Sequence, residues 1–279
     1  MPHLDLPLES FEKQFPKEPF LIKHHLTNHP LFAIDRLLAL SKALPESCVE
    51  YNKGDIPVNM DYKASPRTGL SAEETIRRIR EAKSWMVLKY VEKDAEYRAL
   101  LDECLDQVQT LSTKKVVGSF NREGFIFLSS PGSTTPFHAD PEHNFLLQIQ
   151  GQKTVSLFDP ADEKVATNAD IENGLYGKNR NLAYHEEIQS RGETFDLIPG
   201  VGLHFPVAAP HWVKNGPEVS ISFSITFQSR TSEREGAIRQ MNARLRRHGL
   251  SPTPLGQSSL RDTVKYNAFR ALRRIGLFS

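Results

Sequence analysis

Hydrophobic and polar positions along this chain change period twice. In "HPLFAIDRLLALSKALP" the residues Leu31, Ile34, Leu37, Leu38 and Leu44 fall on one face of a helix that is predicted to stop at Pro45. "SAEETIRRIREA" opens with Ser71 and carries Glu74 three residues later, the pattern of a capping box. "WMVLKYVE" (85–92) reads as a strand and "KDAEYRALLDECLDQVQTL" (93–111) as a further helix. From about Val116 the period drops to two, in "GFIFLSS", "NFLLQIQ", "KTVSLFD", "ETFDLIP", "VGLHFPV", "HWVKN" and "EVSISFSITFQ". Gly, Pro, Asn and Asp separate these runs, as expected for antiparallel strands of a sandwich or barrel. Residues 161–191 read as a polar loop near an opening. From about 232 the helical period returns in "SEREGAIRQMNARLRRHGL" and "SLRDTVKYNAFRALRRIGLF", where Leu260, Val264, Phe269, Leu272 and Ile275 are expected to form one apolar stripe.

These periods predict three parts: a helical N-terminal region over 1–115 packed on the core, a β core over 116–229, and a basic helical segment over 230–279. The expected fold class is mainly β with flanking helices. A chain of 279 residues can bury a large core and still leave a cavity. No apolar run approaches the roughly 20 residues that span a bilayer, and "MPHLDLPLESFEKQF" lacks the order of a secretory signal, so no membrane partner and a cytoplasmic location are expected. Cys48 and Cys104 stand far apart without a CxxC partner, and each is expected to act as a small apolar residue. The net charge of +1 hides an asymmetry: from Arg230 onward, 11 Lys and Arg face only Glu233, Glu235 and Asp262, which leaves about −7 on the first 229 residues.

The alternating segment "TTPFHADPEHNFLLQIQGQKTVSLFDP" (134–160) carries ionisable groups where a core is being built. Residues two apart on a strand project to one side, so His138 and Asp140 are expected to point together. They supply two legs of a 2-His-1-carboxylate triad, which suits Fe(II) with open positions. A plain His–Asp hydrogen bond on a core strand explains the same pair. The second segment, "PGVGLHFPVAAPHWVKN", opens a strand with His211, about 70 residues after Asp140. That separation fits a double-stranded β-helix, whose early and late strands lie side by side and would make His211 the third ligand.

The spacing Gly132, five residues, His138-x-Asp140, three residues, Asn144, six residues, Gly151 resembles the first signature of the cupin superfamily, and "HWVKN" resembles the end of the second. Asp140 replaces the usual second histidine and Asn144 the usual glutamate, which resembles the Jumonji-C (JmjC) type 2-oxoglutarate oxygenases. Within them residues 116–229 are most similar to the asparaginyl hydroxylase that inhibits hypoxia-inducible factor and to its bacterial cupin-like relatives. The resemblance implies a jelly-roll core, Fe(II) on His138, Asp140 and His211, and 2-oxoglutarate as cosubstrate, converted to succinate and CO2 while a substrate C–H bond is hydroxylated. It also implies that Lys153 pairs with the distal carboxylate of 2-oxoglutarate, that Thr135 donates to the same group, and that Asn144 and Thr226 contact the cosubstrate. A dianion in a partly dry barrel needs such fixed donors to offset desolvation.

The substrate expected from this resemblance is a protein or peptide side chain, or a small molecule. The alternatives are a JmjC demethylase, a non-catalytic metal-binding cupin, and an oxygenase or binding protein acting on RNA or a ribosomal protein. The basic C-terminal helices suit phosphate contact, and equally the polar face of a homodimer interface, the reading favoured at this point. Elsewhere, His143 and Glu142 read as a solvated turn, His204 as a core histidine or a group near the metal, Trp212 as packing and Asn215 as a residue that orients a neighbouring strand or a ligand. His24, His25 and His29 read as surface or capping residues, Lys89 and Tyr90 as a pocket border, and "NGLYGKNRN" (173–181) as either a substrate-facing or a surface loop.

Overall fold

The computed structural model describes residues 2–60, 65–112, 115–177 and 181–276. Twelve strands run through them: β1 (Leu4–Asp5), β2 (Phe20–His24), β3 (Val49–Lys53), β4 (Ser84–Lys89), β5 (Phe120–Ser129), β6 (Thr134–His138), β7 (His143–Gln150), β8 (Lys153–Leu157), β9 (Glu193–Leu197), β10 (Val201–Phe205), β11 (His211–Asn215) and β12 (Ser220–Gln228). Seven α-helices accompany them among the described residues: α1 (Leu8–Gln14), α2 (Ile34–Ala43), α3 (Ala72–Arg77), α4 (Ala95–Ser112), α5 (Asn168–Tyr176), α6 (Arg230–Arg247) and α7 (Ser259–Arg274).

Two antiparallel sheets form, in the orders β1-β2-β10-β7-β12-β5-β4-β3 and β6-β11-β8-β9. From β5 to β12 the chain passes between the two sheets, which gives the antiparallel sandwich expected from the alternating runs and the jelly-roll that the resemblance implied. Gly151 makes the β7–β8 turn with φ +67°, and a Cβ there would stand 2.3 Å from the Val219 carbonyl oxygen, so only glycine fits.

The N-terminal region is less helical than its sequence suggested. Its strands β1 to β4 extend the larger sheet at both edges, with β2 paired to β10 and β4 to β5. Of these, β4 is the strand read at 85–92, whereas β1, β2 and β3 were not read as strands: each has five residues or fewer, too short a run to set a period of two apart from its surroundings. The helix expected from Pro30 to Leu44 is split into a 3-10 turn, Pro30–Phe32, and α2, with His29 capping the turn by accepting the Leu31 N–H. The capping box at Ser71 and Glu74 is formed. The segment 161–191 is not a plain loop: α5 and a 3-10 turn, Glu186–Arg191, occupy much of it.

Alternation on the larger sheet sorts residues between two different environments. Phe145, Leu147 and Ile149 of β7, with Ile221, Phe223, Ile225 and Phe227 of β12, point outward into the main core against Leu37 and Leu40 of α2 and Leu101 and Leu105 of α4. Each fully buried side chain of this size contributes about 1.5–3 kcal/mol. A second cluster between the sheets joins Leu146, Leu203 and Phe205 to Val155, Leu157 and Val213. The opposite face of β12 carries Ser222, Ser224 and Thr226, so the jelly-roll interior is polar along that strand.

On α7 the expected apolar stripe divides. Phe269 and Leu272 pack with Ala237, Met241 and Leu245 of α6, whereas Leu260, Val264 and Ile275 are exposed. Both cysteines are buried and free, as expected for small apolar residues. No described helix is long and apolar enough to cross a membrane.

Candidate functional site

The site starts from the pairing of β6 with β11, which sets His138 directly opposite His211. Strand β6 ends at His138, so Asp140 lies just beyond it rather than on it. A local clip holds that end in place: the Ala208 N–H donates to the Asp140 carbonyl at 2.8 Å, and Ala208 takes φ +64° in the turn before β11. A non-glycine residue in the left-handed region stores strain, here next to a converging cluster. On the other side, Asn215 Nδ2 donates to the carbonyl and hydroxyl of Ser133, at 3.1 and 3.0 Å, tying β11 to the turn before β6. The strand-orienting role expected for Asn215 is what these contacts provide.

One ligand atom from each of His138, Asp140 and His211 lies within 4.8 Å of the others, and no second such group occurs among the described residues. The Nε2 atoms of His138 and His211 stand 3.9 and 3.8 Å from Asp140 Oδ2. Each imidazole donates its Nδ1–H to a carbonyl two residues earlier, His138 to Pro136 at 2.7 Å and His211 to Ala209 at 3.0 Å. Those bonds fix the tautomer and leave both Nε2 lone pairs aimed at one point, the outer support that metal-bound histidines require. Burial, with His138 adjacent, pushes the His211 imidazole down to about 4, so it is neutral near pH 7. Two imidazole nitrogens and one carboxylate oxygen on one side fit a divalent first-row metal with open positions.

The three residues line a cavity of about 840 Å³. Lys153, Thr135, Asn144 and Thr226 line the same cavity, so all seven residues singled out in the sequence are brought together. Lys153 is 5% exposed, and its ammonium has no hydrogen bond or ion pair with a described residue. Burial alone pushes it down to about 7. Asn144 Oδ1 accepts from Ser224 at 2.8 Å. Thr226 donates its hydroxyl to the Glu123 carbonyl at 3.2 Å, so its proton is already engaged.

Several other residues differ from their sequence reading. His143 is not in a solvated turn: it opens β7, is buried, stacks on Phe227 and bonds Ser229 Oγ at 3.2 Å. His204 is the core histidine of its two readings; it packs on Phe15, Phe20 and Phe145 and bonds the Glu18 carbonyl. His24 is buried rather than exposed, and bonds the Gln148 carbonyl at 2.9 Å. His25 is at the surface beside Asp5, and His29 is the cap described above. Trp212 packs near Tyr184 and donates to Gln189. Lys89, ion-paired to Glu50, and Tyr90 do border the cavity. In the segment 173–181, Leu175, Tyr176 and Gly177 close α5 onto the cavity and Asn181 bonds the Met60 carbonyl, while 178–180 lie outside the described residues.

Sequence reasoning missed the cavity roof. Gln240, Arg244 and Arg247 of α6 line the cavity beside the end of α5. Glu172 of α5, fully buried, accepts from Asn242 at 2.7 Å and Arg246 at 3.0 Å and locks the two helices together. A lone glutamate in a polar insert gave no local signal of a partner 70 residues away.

The family model for the cupin-like domain matches residues 18–229. JmjC domain-containing protein D of Dictyostelium discoideum is 35% identical over 114 residues, covering 36% of this chain and 23% of that protein. Lysine-specific demethylase 8 of Danio rerio is 29% identical over 112 residues, covering 34% of this chain and 24% of that protein. This chain therefore spans about a quarter of the length of either relative. Among solved structures, YcfD, a ribosomal oxygenase from Escherichia coli in complex with cobalt and 2-oxoglutarate, has a similar fold, with a TM-score of 0.52 at 16% identity over 96% of this chain and 67% of that one.

Proposed function

This chain belongs to the cupin-like domain family, and from that premise we propose that it is an Fe(II)- and 2-oxoglutarate-dependent oxygenase that hydroxylates a C–H bond. The observation that carries the reading is the presence, in one cavity, of a 2-His-1-carboxylate cluster and a buried lysine without an anionic partner among the described residues. A buried cation with nothing to neutralise it is costly unless an anion arrives as ligand.

His138, Asp140 and His211 would hold the metal. Bound there, Fe(II) with oxygen supplies the oxidising chemistry, and 2-oxoglutarate leaves as succinate and CO2. Lys153 neutralises the distal carboxylate of 2-oxoglutarate, and the Thr135 hydroxyl donates to it. Asn144, its Oδ1 held by Ser224, has its Nδ2 to offer the cosubstrate. Thr226 commits its hydroxyl proton to the Glu123 carbonyl, so it offers the cosubstrate a donor only if that bond is given up. The Pro136 and Ala209 carbonyls accept the Nδ1–H of His138 and His211 and so turn Nε2 of each ring toward the metal position.

A protein or peptide side chain is the substrate this reading favours, supported by the lysine-specific demethylase and ribosomal oxygenase among the similar proteins. The cavity falls within the roughly 300–1,000 Å³ typical of small-ligand sites, so a small molecule is the second choice. The exposed Leu260 and Val264 of α7, with Ile275 just beyond its end, favour the homodimer reading, which sedimentation velocity of L260S/V264S would test. The test of the activity is anaerobic titration of Fe(II)-loaded protein with 2-oxoglutarate, followed by the visible charge-transfer band of the chelate. A band in the native protein that is lost in Asp140→Ala supports the oxygenase; metal binding without a band refutes it.

A further inference from the structure

Beyond the cavity, the most concentrated chemistry among the described residues lies on the C-terminal helix pair. Ten of the 11 basic residues from Arg230 onward are arginine, whereas lysine supplies 15 of the 24 before it. A groove of about 340 Å³ between α6 and α7 is lined by Arg270, Arg273, Arg274, Tyr266 and Phe269, with Glu233 its one acidic residue. All three of these arginines are exposed. Tyr266 fixes two guanidinium groups, Arg234 at 5.5 Å and Arg270 at 5.7 Å from its ring centroid, and Arg234 also donates to Thr263 Oγ1 at 3.1 Å. Arginines held this way lose less freedom when they engage a ligand.

We propose that this α6–α7 groove is a binding surface for single-stranded nucleic acid. A phosphodiester strand presents one charge per nucleotide at regular spacing, and each guanidinium can fork onto two phosphate oxygens. Guanidinium planes also stack on unpaired bases, which lysine cannot do. The face of α6 that borders the groove continues to the cavity: Glu233, Ala237, Gln240, Arg244 and Arg247 follow the spacing of one helical face, about 21 Å long. A strand lying along α6 from the groove would reach the cavity mouth. The exposed apolar residues Leu260 and Val264 lie on the side of α7 opposite Phe269, which faces the groove. Neither metal nor 2-oxoglutarate enters the proposal, which stands or falls apart from the oxygenase reading.

The test is fluorescence polarisation of the full chain with a labelled single-stranded RNA of about 20 nucleotides, across about 50–200 mM NaCl. Binding is expected to weaken linearly in log–log form with salt. Arg270→Gln/Arg273→Gln/Arg274→Gln is expected to lose at least about 10-fold in affinity and to flatten the salt slope by about 2, at about 0.7 per phosphate. Leu260→Ser/Val264→Ser, on the other side of α7, is expected to bind RNA as the native chain does. If the triple variant misfolds by circular dichroism, Arg273→Gln and Arg274→Gln alone are each expected to weaken binding. The proposal is overturned by no binding at low salt, by unchanged affinity in the arginine variants, or by polyglutamate competing as well as RNA. It is also overturned if the triple variant dissociates a multimer, which would make the groove a self-interface.

Discussion

His138 faces His211 across the β6–β11 pair with ring centroids 4.2 Å apart, and each ring is anchored through Nδ1 to a backbone carbonyl. Two imidazoles this close, both presenting Nε2 toward Asp140, are arranged to share one cation. Asp140→Ala is therefore expected to lower Fe(II) affinity at least about 100-fold, a larger loss than outer-support mutations usually cause, while leaving the melting temperature of the metal-free protein nearly unchanged. Isothermal titration with Fe(II), or with Co(II) as a stable substitute, checks it; native affinity in the variant would exclude the triad.

Lys153 separates function from stability. Lys153→Met keeps the stem and removes the buried charge, so the variant should melt at a higher temperature yet bind 2-oxoglutarate about 10–100-fold more weakly, the worth of a charge-assisted hydrogen bond. Metal affinity should change little. Differential scanning calorimetry and cosubstrate titration read the two effects separately.

The same residue sets a pH dependence. Its ammonium is pushed down to about 7 by burial, and the bound dicarboxylate requires it charged. Below pH 7 the proton is already present. Above pH 7, binding must take up a proton, so the 2-oxoglutarate Kd should rise about tenfold per pH unit. A Kd that stays flat from pH 7 to 9 would show that Lys153 does not carry the interaction.

Acid should unfold the protein through histidines outside the cavity. His24 and His143 are held at about 4 and His204 at about 3 by burial, against an unfolded value near 6.5. Between those values the unfolded chain binds more protons than the folded one, so stability is complete above about pH 6.5 and falls as pH drops toward 4. Each histidine contributes about 1.4 kcal/mol per unit in that window. Melting temperatures at pH 7, 6 and 5 should fall progressively, and His204→Gln should flatten the decline.

Glu172→Ala should loosen the cavity roof. It leaves Arg246 and the buried Asn242 without their shared acceptor, a loss of about 3 kcal/mol by analogy with broken buried pairs. Limited proteolysis is expected to cut the segment 161–191 faster in the variant, while metal affinity stays close to native. Equal protease resistance would show that α5 is held by other contacts.

The chain's own pattern determined much of this. Two-residue alternation from Val116 to Gln228 was enough to predict antiparallel strands of a sandwich or barrel, because successive side chains of a strand meet different surroundings on its two faces; the jelly-roll was implied by the signature resemblance. The signature spacing around His138, Asp140 and His211, with Lys153 and Thr135, named the residues that the fold gathers in one cavity. Three-dimensional packing decided the rest. "SISFSITF" does not say which of its faces is inside. The apolar face turned outward because helices α2 and α4 cover the sheet, which left Ser222, Ser224 and Thr226 lining a polar interior. His24 read as a surface or capping residue, His143 as part of a turn and His204 as one of two alternatives, because the packing that buries them, such as Phe15 against His143 and His204, comes from residues distant in sequence. The roof built by Glu172, Asn242 and Arg246 was illegible for the same reason: its partners are distant in sequence, and only the docking of α5 on α6 makes a buried carboxylate tolerable.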